Sequence, residues 1–231
     1  IYNASLITDD DLYNAEEIKK AMYAAVIRNG PVHINIPFDE PLYETVDTIL
    51  KMENEVHYDT SKSLLKEIPL DVEELQLYAN KWNVSSKKIV LIGSSFPDEL
   101  LQVQLEHLLK DPSVLVFTET ISNIKHERFI NSIDQLLFPL DDKEFGLLEP
   151  DILITLGGLV VSKRIKQFFR KFQPQEHWHV NERRALDSFH CMTRHFEISA
   201  QLFFSQFFFL TKVKESTYHE EWFQLKLKNK E

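Results

Sequence analysis

Four short apolar runs limit what this chain can fold into: KIVLI (Lys88 to Ile92), SVLVF (Ser113 to Phe117), ILITL (Ile152 to Leu156) and HWHV (His177 to Val180). A strand with one face in water alternates apolar and polar residues. The first three runs do not alternate, so each reads as a strand covered on both faces. Helical patterns follow them. Leu100, Leu101, Val103, Leu105, Leu108 and Leu109 recur at helical spacing, and Arg128 to Leu137 forms a second such pattern. Ser162 to Phe172 forms a third, with Ile165, Phe168, Phe169 and Phe172 on one face. After Pro69, Asp71 is placed to cap a helix carrying Val72, Leu75 and Tyr78, and a last helix is expected over Glu197 to Leu210. The expected fold is α/β over residues 70–212: doubly wound, with a mostly parallel sheet and helices on both faces.

The segment ahead of this domain reads differently. Leu12, Ala15, Ile18, Met22, Ala25 and Val26 mark a helix from Asp9 to Asn29, closed by Gly30. PVHINIP (31–37) then alternates as a short strand. One helix and one strand bury too little to make a core, so residues 1–45 read as the end of a domain lying mostly upstream. Residues 46–69 carry mixed charge without a period and suit a linker. Residues 213–231 read as the start of a connection to a further domain. Both ends, Ile1 and Glu231, read as cuts in a longer chain.

Charge and cysteine content remove several function classes. The 26 basic side chains against 36 acidic ones give a net charge of -10, which argues against nucleic acid and anionic membrane as partners. Cys191 is the single cysteine, so no internal disulfide forms and nothing indicates an oxidising compartment. QLFFSQFFFL (201–210) is too short and too interrupted to cross a bilayer, and it reads as a buried helix. No signal-peptide pattern opens the chain, and the expected location is the cytoplasm.

Common site motifs are missing. The turn after the first strand, Gly93-Ser94-Ser95-Phe96-Pro97-Asp98, has one glycine where a dinucleotide fingerprint needs three. Neither a phosphate-binding G-x-x-x-x-G-K-[ST] loop nor a G-x-S-x-G elbow occurs. His177 and His179 share one strand face, and His190, Cys191 and His195 cluster nearby. Without a Cys pair or a spaced third ligand they read as ordinary polar residues, and no metal site is expected.

The unusual feature is ILITLGGLVVSKRIKQFF (152–169). A strand ends at Gly157-Gly158, Ser162 can cap the next helix, and its first residues are Lys163 and Arg164. Helix starts carry partial positive charge and favour acidic residues. The loops after strands in open parallel sheets are where ligands bind. An anion there would meet helix amides, the dipole and two full charges, each charge-assisted hydrogen bond contributing about 1.5–3 kcal/mol. The alternative is a pair of solvated cations whose placement costs about 0.3–1 kcal/mol each.

Two segments resemble one family. GPVHINIPFDEPLY (30–43) is similar to the end of the pyrimidine-binding domain of thiamine-diphosphate enzymes, and its DEPLY ending resembles the MenD-type synthases of menaquinone biosynthesis. DILITLGGLVVSKRIKQFFRKFQPQEHWHV (151–180) resembles the Rossmann-like middle domain of the same family. Order and spacing agree over nearly the whole chain.

The resemblance implies a transferase that decarboxylates 2-oxoglutarate on thiamine diphosphate with magnesium and adds the succinyl unit to isochorismate. It implies a homodimer or homotetramer formed through the cofactor domains. It also implies that Lys163 and Arg164 bind substrate carboxylates. The family's catalytic glutamate would lie upstream of Asp9 and its Gly-Asp-Gly cofactor motif downstream, so no catalytic, cofactor or metal residue is assigned here, and the segment alone is expected to be inactive. The family's D-x-x-S-x-L-R pattern after the second strand is represented by Thr118-Glu119-Thr120-Ile121-Ser122-Asn123-Ile124-Lys125, which keeps the serine and a cation but not the aspartate. Alternatives are the middle domain of another thiamine-diphosphate decarboxylase or synthase, and a noncatalytic nucleotide-binding α/β module.

Overall fold

The computed structural model describes residues 1–3, 11–28, 30–37, 68–182, 185 and 187–228. The start of the first expected helix at Asp9, the DEPLY stretch and almost all of the expected linker lie outside the described residues. The chain divides into two compact units, Ile1–Lys66 and Glu67–Glu231.

In the first unit, β1 (Tyr2–Asn3) pairs in parallel with β2 (Ile34–Asn35), and α1 (Asp11–Arg28) connects them. Gly30 donates its amide hydrogen to Ala25 O and closes the helix at the expected place. Leu12, Ile18, Met22 and Val26 on α1 are exposed, and Ala21 is buried.

The second unit is built on a five-stranded sheet in the order β4-β3-β5-β6-β7, with every pairing parallel. The strands are β3 (Lys88–Ile92), β4 (Val114–Thr118), β5 (Ile152–Leu156), β6 (Glu176–Val180) and β7 (Arg194–Phe196). Each residue of β3, β4 and β5 is buried, which is why these runs are apolar without alternation. The helices of this unit among the described residues are α2 (Val72–Val84), α3 (Glu99–Leu108), α4 (Ile133–Leu137), α5 (Asp142–Leu148), α6 (Lys163–Lys171), α7 (Ala200–Phe207) and α8 (Tyr218–Lys228).

Strand alternation assigns the two layers. Val90, Ile92, Val114, Val116, Ile154, Trp178 and Phe196 face a core shared with α2, α3 and α7. Ile89, Leu91, Leu115, Phe117 and Leu153 face the other core, shared with α4, α6 and α8. The doubly wound expectation is therefore met. QLFFSQFFFL is mostly interior, with Phe203, Phe204 and Phe207 buried and Phe209 exposed beyond the end of α7.

Four segments differ from the sequence reading. Residues 128–130 do not join the helix that ends at Leu137. Instead Ile130 bridges Phe117 and exchanges hydrogen bonds with Val116 and Thr118, covering the outer edge of β4. Helix α5 and strand β7 were not expected. Helix α8 places Tyr218 and Trp222 in the core of the sheet, so packing of this unit continues past residue 212.

Candidate functional site

The order β4-β3-β5 puts consecutive crossovers on opposite sides of β3, so the topological switch point lies beyond the carboxyl ends of β3 and β5. Open α/β sheets bind ligands at such a point. Here the crevice is stitched shut by backbone. Ser94 donates its N–H to Leu159 O at 3.0 Å, and Gly158 donates to Ser94 O at 2.8 Å. A Cβ on Gly93 would lie 2.3 Å from Gly158 O, and Gly157 has φ +73°. These glycines therefore let two loops touch each other. They do not cradle a phosphate, and the nucleotide-binding alternative loses the position at which this fold would place it.

The loop after β4 completes a closed ring of three loops. Ser95 N–H donates to Ile121 O at 3.0 Å, and the Asn123 amide donates to Ser95 O at 2.7 Å. Asn123 adopts φ 54°, a left-handed conformation that asparagine tolerates well. Glu119 then ties this loop to the one after β5. Its carboxylate accepts the N–H of Val161 at 2.8 Å and of Ser162 at 2.6 Å.

The sequence left two readings open at the start of α6, a bound anion or a pair of solvated cations; the amides of Val161 and Ser162 already hold an anion, and it belongs to the protein. Ser162 caps α6 as expected, accepting from Ile165 N–H at 3.1 Å, and its hydroxyl donates to Asp134. Glu119 was missed because its partners are more than 40 residues away in sequence. The available signal was an acidic residue directly after a buried strand, followed at three residues by Ser122.

Lys163 and Arg164 occupy the first turn of α6, which contains no acidic residue, and both are exposed. The structure does not bring their charged groups to a common partner. Arg164 lies over the ring of Phe138 at 4.4 Å and borders a groove of about 220 Å³ formed with Phe145, Phe168 and Phe172. Lys163 makes no hydrogen bond or ion pair among the described residues. Exposed Phe96, Ile121, Leu159 and Val161 stand on the same three loops, so the exposed side chains of this edge are partly apolar. A concavity of about 280 Å³ between the β4 and β5 loops has Glu119 and Asp134 in its lining. A further concavity, of about 610 Å³, lies between α5 and α8, away from these loops.

His177 and His179 meet at one buried hydroxyl. His177 Nε2 and His179 Nδ1 lie 2.9 and 2.8 Å from the Thr155 hydroxyl, so one ring accepts its hydrogen and the other donates to its oxygen. Burial pushes both imidazoles down to about 4, so both are neutral at pH 7. Cys191 lies 3.6 Å from His177 Nδ1, and burial together with Asp187 pushes its thiol up to about 12. His195 Nε2 contacts Asn181 O at 2.8 Å, and His190 is exposed with φ 61°. No group of three metal-ligating side chains exists among the described residues, and no helix of theirs is long and apolar enough to cross a membrane.

Comparison with known proteins adds an independent line. The family model described as "Middle domain of thiamine pyrophosphate" matches residues 64–229. A 2-succinyl-5-enolpyruvyl-6-hydroxy-3-cyclohexene-1-carboxylate synthase of Flavobacterium psychrophilum is 43% identical over 218 residues, covering 94% of this chain and 38% of the relative. The synthase of the same name from Flavobacterium johnsoniae is 42% identical over 219 residues, covering 94% and 39%. The one from Porphyromonas gingivalis is 31% identical over 186 residues, covering 80% and 31%. The chain thus spans about two fifths of the length of the first two relatives.

Proposed function

Since the chain belongs to the family of thiamine pyrophosphate middle domains, in the branch of the 2-succinyl-5-enolpyruvyl-6-hydroxy-3-cyclohexene-1-carboxylate synthases, we propose that it is the substrate-carboxylate-binding segment of such a synthase. In this reading the whole enzyme is a thiamine-diphosphate-dependent transferase. It decarboxylates 2-oxoglutarate and adds the succinyl unit to isochorismate. Magnesium, a homodimeric or homotetrameric state and a cytoplasmic location belong to the same reading.

The observation that carries the local role is Lys163: a free, exposed ammonium at the carboxyl edge of a parallel sheet, on a helix start where Glu119 already takes the two preceding amides and Ser162 caps Ile165 N–H. A substrate carboxylate would meet the side-chain charge, the Val161 and Ser162 amides being taken by Glu119. Arg164, stacked on Phe138, would offer a second cation from the same turn. Both substrates carry carboxylates, and an acidic chain needs fixed local cations to hold them.

The described residues do not fit the cofactor itself. The switch point is filled by the Ser94–Leu159 and Gly158–Ser94 hydrogen bonds, and no metal-ligating cluster accompanies it. The chain's part is therefore binding and orientation, which raises the effective concentration of a correctly placed reactant. The 231-residue chain alone is expected to be inactive.

The test is adduct formation by the full-length synthase with 2-oxoglutarate, isochorismate, thiamine diphosphate and magnesium, beside a Lys163→Ala/Arg164→Ala variant. A loss of about a hundredfold in kcat/KM, with the fold intact, is expected for removal of two charge-assisted contacts. An inactive parent would refute the activity. An active parent with an unaffected variant would return the two cations to surface charge.

A further inference from the structure

We propose that Glu119 is a positioning residue for Lys163, setting the backbone from which this cation meets a substrate carboxylate; the proposal rests on the function given above. Two cations at a helix start are disfavoured by the dipole, and α6 has no acid of its own in its first turn. The compensating charge comes from another loop. Both carboxylate oxygens of Glu119 contact Val161 N, at 2.8 and 3.1 Å, and one also takes Ser162 N at 2.6 Å. These are the two residues immediately ahead of Lys163.

Glu119 is itself held from behind. Its N–H donates to Ser122 Oγ at 2.9 Å, and the buried Ser122 hydroxyl donates to Ile92 O at 2.7 Å. A chain of hydrogen bonds therefore runs from the end of β3, through the β4 loop, to the residue preceding Lys163. Lys163 has no side-chain partner among the described residues. Its position is set by its backbone, and Glu119 holds the two residues immediately ahead of it, beside the contact of the Ser162 hydroxyl with Asp134.

Glutamine cannot replace this carboxylate. With its carbonyl oxygen kept on Ser162 N–H, its NH₂ group would take the place of the oxygen 2.8 Å from Val161 N and set a donor against a donor. The experiment uses the full-length synthase and four variants: Glu119→Gln, Glu119→Ala, Lys163→Ala and Glu119→Ala/Lys163→Ala. KM and kcat are measured for each substrate, with thermal unfolding in parallel. We expect the Glu119 variants to raise KM for the carboxylate substrate held by Lys163 by about tenfold while kcat stays within about twofold, the signature of lost uniform binding. We expect the double variant to match Lys163→Ala alone, because Glu119 acts through that residue.

A merely stabilising Glu119 would lower the unfolding temperature and leave KM of the folded enzyme unchanged, which would overturn the proposal. Multiplying factors in the double variant would overturn it too. If Lys163→Ala has no effect, both this proposal and the carboxylate-binding role fail. If Lys163→Ala raises KM and Glu119→Gln does not, only this proposal fails. Should Glu119→Ala not fold, Glu119→Gln and Glu119→Gln/Lys163→Ala decide in its place. Hydrogen exchange at the Val161 and Ser162 amides, accelerated in Glu119→Gln, supplies a readout independent of activity; unchanged protection there would overturn the proposal.

Discussion

Replacing Gly93 by alanine tests the closed switch point directly. The added Cβ would lie 2.3 Å from Gly158 O and 3.0 Å from Leu159 O, both backbone atoms with no rotamer to yield. Ordinary contact begins near 3.4 Å, so the loops after β3 and β5 must separate by about 1 Å, an overpacking that typically costs about 1–3 kcal/mol. The Ser94–Leu159 and Gly158–Ser94 hydrogen bonds stretch with that movement, at about 0.5–1.5 kcal/mol each. Loss of freedom in the unfolded chain returns about 0.4–1 kcal/mol. The net expectation is a destabilisation of about 1–5.5 kcal/mol, or roughly 2–20 °C in Tm for a unit of this size.

Urea denaturation of wild type and Gly93→Ala measures it, with an unchanged m-value as the check on the denatured state. Gly146→Ala is the internal control. No atom lies within 4 Å of its added Cβ, and it sits inside α5. The same substitution there should stabilise by about 0.5–1 kcal/mol. A Gly93→Ala protein as stable as wild type would show that the two loops are not packed as described. It would also reopen the switch point to a ligand.

Two further outcomes are expected. Lys88 is fully buried, 3.0 Å from Asp111 and 4.5 Å from the centroid of the Trp82 ring, and burial pulls its ammonium down in pKa while Asp111 opposes that. Asp111→Ala leaves this charge without its partner and should cost about 3–5 kcal/mol by urea denaturation; a loss below about 1 kcal/mol would refute the pairing. His177 and His179, held neutral by burial, should make stability fall as pH drops from about 6.5 towards about 4. Over that window the unfolded chain binds protons that the folded one refuses, so each histidine contributes a slope of up to about 1.4 kcal/mol per pH unit. Denaturation at pH 7, 6 and 5 with and without His179→Gln checks this. An unchanged slope in the variant would show that the ring is not held neutral.

The placement of elements shows which interactions a sequence records. Strands β3, β4 and β5 were readable because burial on both faces leaves a continuous apolar run, and α6 because Ser162 and an Ile165-Phe168-Phe169-Phe172 face are local signals. Strand β7 escaped because its three residues, Arg194-His195-Phe196, include a cation and a histidine, and its pairing with Trp178 to Val180 supplies what its composition lacks. Residues 128–130 carry helical spacing yet lie along the edge of β4, where tertiary pairing outweighs a weak local preference.

By itself the sequence determined the layered α/β class, the place of Lys163 and Arg164 at a helix start, and the family resemblance. Each is written in residue type and short-range spacing. Only the tertiary structure decided that the glycines close a crevice, that the amides before α6 already hold an anion, and that Arg164 rests on Phe138 while Lys163 stands free. Those outcomes depend on partners tens of residues apart, brought together by the order of strands in the sheet, and no local period encodes such a meeting.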